Sequence, residues 1–139
     1  MSAAVSVPPV QHLDELPYYE QDSGANITYQ FLVRPGSMGR LSSGRVRLQG
    51  PTAKALDAHA GWDQIYLVLN GSGIVTVGTE DFPVAVGSVV RIPRHTRHGV
   101  SLRAGQHLEY VYFNAFEDLE ALRELERLSA PPPSKQEGL

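Results

Sequence analysis

Between residues 26 and 114, short β-branched and aromatic segments follow one another at intervals of about ten residues. Turn signals such as GP, NGSG, GTED and PRHTR separate them. No helix-length pattern interrupts the series, which argues against a parallel βαβ fold and predicts a closed barrel or a double sheet. The segments that predict strands are NITYQFLV, RVRLQ, AKALDAH, DQIYLVLN, GIVTVG, FPVAV, SVVRIP, HGVSLR and HLEYVYFN.

The ends of the chain differ from this central region. Residues 1–25 carry several prolines and predict an N-terminal arm before a barrel over 26–114. The segment NAFEDLEALRELERLSA predicts one C-terminal helix over 115–129, with Asn114 as its N-cap. A disordered tail is expected over 130–139. The glycine-rich segment RPGSMGRLSSG predicts a loop whose glycines would permit it to close over the barrel.

Composition limits the partners and the chemistry of the chain. Its 139 residues suit one domain, and a net charge of -3 argues against nucleic acid as a partner. Because cysteine is absent, any metal ligand must be histidine, carboxylate or amide. No signal-peptide pattern and no apolar run of membrane-spanning length is present, so we expect a cytoplasmic protein without a membrane partner.

Four polar side chains are placed so that a barrel would gather them. Asp57 and His59 lie two residues apart and share one face of an extended segment. Gln64 opens the next predicted strand, and His98 begins a strand much later. Polar groups inside a barrel are costly unless they are paired or bound. Four nitrogen and oxygen donors that converge there would suit a divalent metal ion.

The first of these clusters has a recognisable spacing. One residue separates Asp57 from His59, four residues lead on to Gln64, and six more lead to Gly71. This spacing resembles the first motif of the cupin family, in which His-x-His, Glu and Gly stand at these positions. Asp57 therefore replaces the first His, and Gln64 replaces the Glu.

The second cluster resembles the second motif of the same family. Five residues separate Gly87 from Pro93, and His98 stands at the position of the motif histidine. His95 replaces a glycine of the motif and Leu102 replaces an asparagine. His95 therefore occupies a turn position that often needs a positive φ, and it is expected to be a loop residue and not a ligand.

The resemblance covers about residues 42 to 113 and implies a cupin-type, all-β, jelly-roll-like double-sheet barrel with the one C-terminal helix outside it. It also implies one divalent metal ion, Fe, Mn, Ni or Zn, held by Asp57, His59, Gln64 and His98. The family motif has its carboxylate at the position of Gln64, whereas this chain has it at Asp57. The ligand set therefore keeps one negative charge. Each residue also has a plainer interpretation: a turn cap or an arginine pair for Asp57, a core histidine for His59 and His98, and a hydrogen bond across the pocket for Gln64.

Alternation of side chains predicts part of the pocket wall. Tyr66 shares a face with Gln64, which makes it a candidate catalytic hydrogen-bond donor or acid. The alternative is a barrel-lining aromatic residue whose hydroxyl lies at the rim. In TYQFL, either Tyr29 and Phe31 or Thr28 and Gln30 face inward, and the aromatic pair is expected because it would fill a barrel. Trp62 is expected either to line the mouth or to serve an interface.

Three functions are consistent with these features. The first is a metal-dependent enzyme that acts on a small organic molecule by isomerase, lyase or dioxygenase chemistry. The second is a non-catalytic cupin that binds a sugar or an organic acid. The third is a structural oligomer whose barrel is filled by bulky residues. The resemblance to small cupins also implies a homodimer that pairs through edge strands, which would cover an otherwise exposed sheet edge.

Overall fold

The computed structural model describes residues 8–20, 26–53 and 56–128. These residues form nine strands, one short 3₁₀ helix at Leu13–Glu15 and one α-helix. The predicted tail over 130–139 lies outside the described residues. The strands are β1 Tyr18–Glu20, β2 Ile27–Met38, β3 Leu41–Gln49, β4 Thr52–Ala53, β5 Trp62–Val77, β6 Glu80–Ala85, β7 Val89–Ile92, β8 His98–Leu102 and β9 His107–Phe116, and the helix is α1 Leu119–Leu128.

The strands form two antiparallel sheets that share β5. The first sheet has the order β1-β2-β3-β9-β5-β7, and the second has the order β4-β8-β5-β6. Because β5 passes from one sheet into the other, the two sheets curl around a common interior. Apolar side chains from both sheets fill the closed part of that interior, with Val68, Val75, Val100 and Leu108 each no more than 2% exposed. The predicted all-β double-sheet barrel with one C-terminal helix is confirmed.

The segment NGSG does not form the turn that its composition predicts. β5 continues through it for 16 residues, with a bulge between Val68 and Asn70. Gly71 adopts φ +80°, and a Cβ atom there would lie 1.9 Å from the His107 backbone oxygen. Glycine is therefore required because the backbones of β5 and β9 approach closely, and not because the chain reverses.

The predicted loop over 34–44 is also largely strand. β2 extends to Met38 and β3 begins at Leu41, so the reversal is confined to Gly39 and Arg40. Register shifts between Phe31 and Val33, and again before Met38, accommodate the glycine and proline of this segment.

The C-terminal helix begins later than predicted. Asn114 does not cap it but pairs within β9, which runs on to Phe116. The cap is Asp118, whose side-chain oxygen accepts the Ala121 backbone N–H at 2.9 Å. Both positions offer a residue type that is favoured as an N-cap. Pairing of β9 with β3 and β5 decides between them, because it keeps Asn114 in extended conformation.

The described part of the N-terminal arm is attached to the barrel. β1 pairs with β2, and the Gln30 side-chain nitrogen donates to the backbone oxygens of Leu13 and Leu16 at 2.9 and 3.1 Å. The arm therefore extends the first sheet at its edge. Among the described residues, no helix is long and apolar enough to span a bilayer.

Candidate metal and ligand site

A cavity of about 1010 Å³ opens between the two sheets, and α1 contributes Leu125 to its lining. All five residues that the sequence marks as site candidates line this cavity: Asp57, His59, Gln64, Tyr66 and His98. A barrel filled by bulky residues, as the structural-oligomer hypothesis requires, is not what the described residues form.

Cross-strand register arranges the inner face of the first sheet in layers. Residues at matching positions on neighbouring strands lie side by side, and each layer is two residues along from the next. An indole and phenyl layer is followed by an amide layer, a phenol layer and a deeper mixed layer. The layers are Trp62 with Phe116; Gln64 with Asn114 and Ser42; Tyr66 with Tyr112, Gly44 and Phe31; and Val68 with Tyr110, Val46 and Tyr29.

His98 lies at the start of β8 and is 5% exposed. Its Nδ1 lies 2.9 Å from the Thr96 backbone oxygen, a contact that requires the proton on Nδ1. In the neutral ring this tautomer leaves the lone pair on Nε2, which is the arrangement that a metal ligand needs. The His98 backbone exchanges hydrogen bonds of 2.9 and 2.8 Å with the Asp57 backbone, so the two residues are fixed side by side.

His59 reaches the same place from the loop before β5. Its ring centroid lies 4.9 Å from that of His98, and its ring stacks on Trp62 at 4.3 Å. The His95 backbone N–H donates to the His59 oxygen at 2.7 Å, which ties this loop to the one before β8. His95 adopts φ 68°, as its turn position predicts.

Gln64 is held by a chain of amide and hydroxyl groups. Its Nε2 donates to Asn114 Oδ1 at 2.7 Å, and Asn114 Nδ2 donates to Ser42 Oγ at 3.0 Å. With its nitrogen engaged in this way, Gln64 Oε1 is buried and accepts no hydrogen bond. An unsatisfied buried acceptor is costly, so this oxygen is suited to a ligand or a metal ion.

The Asp57 side chain forms its hydrogen bond with its own segment of backbone and not with these donors. It is exposed, and its Oδ1 accepts the Ala58 backbone N–H at 2.9 Å. The part of the chain that the structure describes contains no group of three His, Asp or Glu side chains that could hold a metal ion. The carboxylate is therefore not gathered with the two imidazoles, and Asp57 as a fourth ligand stays a prediction.

The donor set of His59, Gln64 and His98 fits a divalent metal ion. It supplies two neighbouring imidazoles and one buried amide oxygen without a partner, which are ligand types that Fe, Mn, Ni and Zn accept. The identity of the metal stays a prediction.

The phenols below the amide layer are buried and neutral. Tyr66 is 4% exposed and its ring lies 4.3 Å from that of Tyr110. Burial raises the pKa of Tyr66 and of Tyr112 to about 12 in each case. Burial also raises the pKa of Tyr110 well above its ordinary value. At neutral pH these side chains are therefore protonated, so they are able to donate hydrogen bonds and do not act as bases. The Tyr66 ring lies in the wall, and not at the rim.

Sequence reasoning missed Asn114, Tyr110 and Tyr112. A usable signal was present, because alternation through HLEYVYFNAF places all three on the face of Leu108 and Phe116. Because asparagine is favoured as an N-cap, local preference assigns Asn114 to the start of the helix and not to the end of this strand.

Comparison with known families identifies the chain. The family model of the cupin domain, Cupin_2, matches residues 44–113, which is half of the 139-residue chain. The chain belongs to the cupin family. The match spans both motif regions and the strands between them. No curated protein matches this cupin at a significant level.

Solved structures agree with this cupin in fold. The polyketide cyclase RemF from Streptomyces resistomycificus superposes with a TM-score of 0.68 at 20% identity, over 78% of this chain and 80% of that one. A predicted oxalate decarboxylase from Thermotoga maritima gives 0.69 at 18% identity, over 77% and 98% of the two chains. KdgF from Halomonas sp. gives 0.61 at 22% identity, over 77% and 93%. At these identities the likeness shows the fold alone.

Proposed function

We propose that this cupin binds one divalent metal ion through His59, Gln64 and His98 and acts on a small organic molecule in the same cavity. The observation that carries the proposal is the unpaired Gln64 Oε1 in a cavity that both imidazoles line. Asp57 is the proposed fourth ligand. Its backbone is fixed to that of His98, and ligation would require its carboxylate to leave the Ala58 N–H and turn towards the imidazoles.

The chemistry would follow from the arrangement of the cavity. A bound ion supplies Lewis acidity that polarises a carbonyl or hydroxyl oxygen of the substrate. Tyr66 would donate a hydrogen bond to a substrate oxygen, since its raised pKa keeps the phenol protonated. Isomerase, lyase or dioxygenase chemistry is consistent with these parts. Two of the similar structures are named as a polyketide cyclase and a predicted oxalate decarboxylase, which supports an enzyme.

Metal analysis tests the proposal directly. Wild-type protein reconstituted with Fe, Mn, Ni or Zn should retain about one equivalent of ion, as a single site requires. The double variant His59→Ala with His98→Ala should retain none. The double variant His12→Ala with His107→Ala is the matched control, because both of these histidines are exposed and neither lines the cavity.

Wild-type protein that takes up none of the four ions would overturn the metal proposal. It would favour the second candidate, a cupin that binds a small molecule without converting it. The observation that favours this candidate is the Asp57 carboxylate, which is exposed and engaged with its own backbone segment.

A further inference from the structure

Three buried side-chain atoms lack a hydrogen-bond partner among the described residues: Gln64 Oε1, Trp62 Nε1 and Tyr110 Oη. All three residues line the same cavity. The proposed metal uses only the first of them, and the other two belong to donor groups. Tyr66 lies close enough to affect the pKa of Tyr110, but no hydrogen bond of ordinary length and angle joins their hydroxyls.

The two donors differ from the rest of the cavity wall because no hydrogen bond within the described part of the chain satisfies them. Tyr110 is 1% exposed, and its hydroxyl is shielded from bulk water. A buried donor without an acceptor costs about 1 to 3 kcal/mol. A ligand with oxygen acceptors at two separated positions would recover this free energy.

The charge of the cavity limits the ligand further. No Lys or Arg is present among the described residues that line it, and the only acidic one is Asp57. In the loop before His98, Arg94 already pairs with Glu117 at 2.8 Å and lies 3.5 Å from Asp63. An anionic ligand would therefore lose its hydration without gaining a cationic side chain, which is unfavourable in a buried site.

The shape of the wall favours flat rings. Tyr29 and Phe31 on β2 are placed in an edge-to-face arrangement with ring centroids 5.6 Å apart. Tyr66 and Tyr110 lie in the same layers of the same sheet, with rings 4.3 Å apart. A volume of about 1010 Å³ is at the upper end of the range for cavities that hold drug-sized ligands, and it far exceeds the needs of a small acid.

We infer that the cavity takes an uncharged, oxygen-bearing aromatic ring compound, with Tyr110 and Trp62 as donors to its oxygens. This inference rests on the proposed function in placing the substrate in that cavity. It does not require the metal, because both donors and the aromatic wall belong to the protein. Without a bound metal ion, the lining disfavours the organic acids that the sequence alone left open.

Calorimetric titration of the metal-loaded and the chelator-treated protein tests the inference with three probes. Naphthol is uncharged and aromatic, naphthoate has the same rings with a carboxylate, and decahydronaphthol has the hydroxyl without aromatic rings. In chelator-treated protein naphthol should bind about tenfold more tightly than either of the others. Tyr110→Phe should weaken naphthol about five- to tenfold by removing one hydroxyl. Tyr18→Phe, which changes an exposed phenol outside the cavity, should leave the affinity unchanged.

The outcomes separate this inference from the metal proposal. Preference for naphthol in a protein that also takes up none of the four ions on reconstitution supports the inference and overturns the metal site. Equal or tighter binding of naphthoate to chelator-treated protein overturns the inference, even where one equivalent of metal is retained. Unchanged naphthol affinity in a folded Tyr110→Phe variant also overturns it.

Discussion

The side chains of Gln64 and Asn114 are joined by a hydrogen bond of 2.7 Å between adjacent strands, β5 and β9. Asn114 in turn donates to Ser42 on β3 at 3.0 Å. Three neighbouring strands therefore contribute one polar side chain each to a single layer. This layer orients the Gln64 oxygen, and the donor geometry of the proposed metal site depends on residues that do not touch the metal.

Substitution of Asn114 should weaken metal binding without removing a ligand. Asn114→Ala frees the Gln64 amide to rotate, so we expect metal affinity to fall about tenfold, which is typical for loss of a group that orients a ligand. Competition with a coloured chelator measures the affinity. Asn70→Ala is the matched control, since Asn70 is exposed on the same strand as Gln64 and lies outside the cavity. Equal affinities for the two folded variants would contradict the orienting role.

Stability at high pH should depend on Tyr66. The pKa of Tyr66 in the folded protein, about 12, exceeds the ordinary value of 10.0, so the folded state holds this proton more tightly than the unfolded chain. Its contribution to the free energy of unfolding is fully present below about pH 10 and is lost as the pH rises towards about 12. The shift corresponds to about 3 kcal/mol.

Tyr66→Phe should therefore flatten the decline in the free energy of unfolding between about pH 10 and about pH 12. Urea unfolding at a series of pH values measures the slope. Part of the decline should persist, because burial also raises the pKa of Tyr112 to about 12. A variant that keeps the full wild-type slope would show that the phenol of Tyr66 is not protected from water. Tyr18→Phe provides the control for loss of an exposed phenol.

His95 should be replaceable by glycine at no cost in stability. Its φ of 68° is strained for a residue with a Cβ atom, by about 1 kcal/mol, and glycine adopts this angle freely. His95→Gly keeps the backbone N–H that His59 accepts, so we expect equal or greater stability and unchanged metal content. Arg97→Gly in the same loop should instead destabilise by about 0.5 to 1 kcal/mol, because it relieves no positive φ. Guanidinium unfolding compares the two, and the opposite ranking would contradict the strain argument.

Trp62 should report metal binding by its fluorescence. It is the single tryptophan of the chain, and its ring lies 4.3 Å from the His59 imidazole that the proposal assigns to the ion. One equivalent of Ni²⁺ should quench most of the emission by its open d shell, whereas Zn²⁺ should change it little. His59→Ala should abolish the quenching, and His107→Ala should not. Emission that is unaffected at one equivalent of bound Ni²⁺ would place the ion away from His59.

Side-chain alternation predicted much of the wall from sequence. It set Tyr66 on the face of Gln64 and left two choices for β2, of which the bulk of the aromatic side chains favoured Tyr29 and Phe31; both line the cavity. Motif spacing also anticipated the positive φ of His95.

Strand ends could not be predicted in the same way. The glycines near Gly71 have the composition of a turn, and only the contact with His107 shows that they serve a close crossing. Asn114 and Asp118 are equally good helix caps in local terms, and tertiary pairing decides between them. The side-chain conformation of Asp57 depends on a single hydrogen bond to Ala58, which no sequence pattern specifies.

The passage of β5 through both sheets restricts how this cupin can diversify. Gain or loss of one residue within β5 would turn Gln64 and Tyr66 away from the cavity or reverse Val75 in the core, since neighbouring residues face opposite sides. New specificities in this strand must therefore arise by substitution. Changes in length are better tolerated at the exposed tip between β2 and β3, where a side chain at Gly39 would meet no other atom within 4 Å. Within this chain, the cavity wall on β5 is therefore expected to vary in residue type, and the tip between β2 and β3 in length.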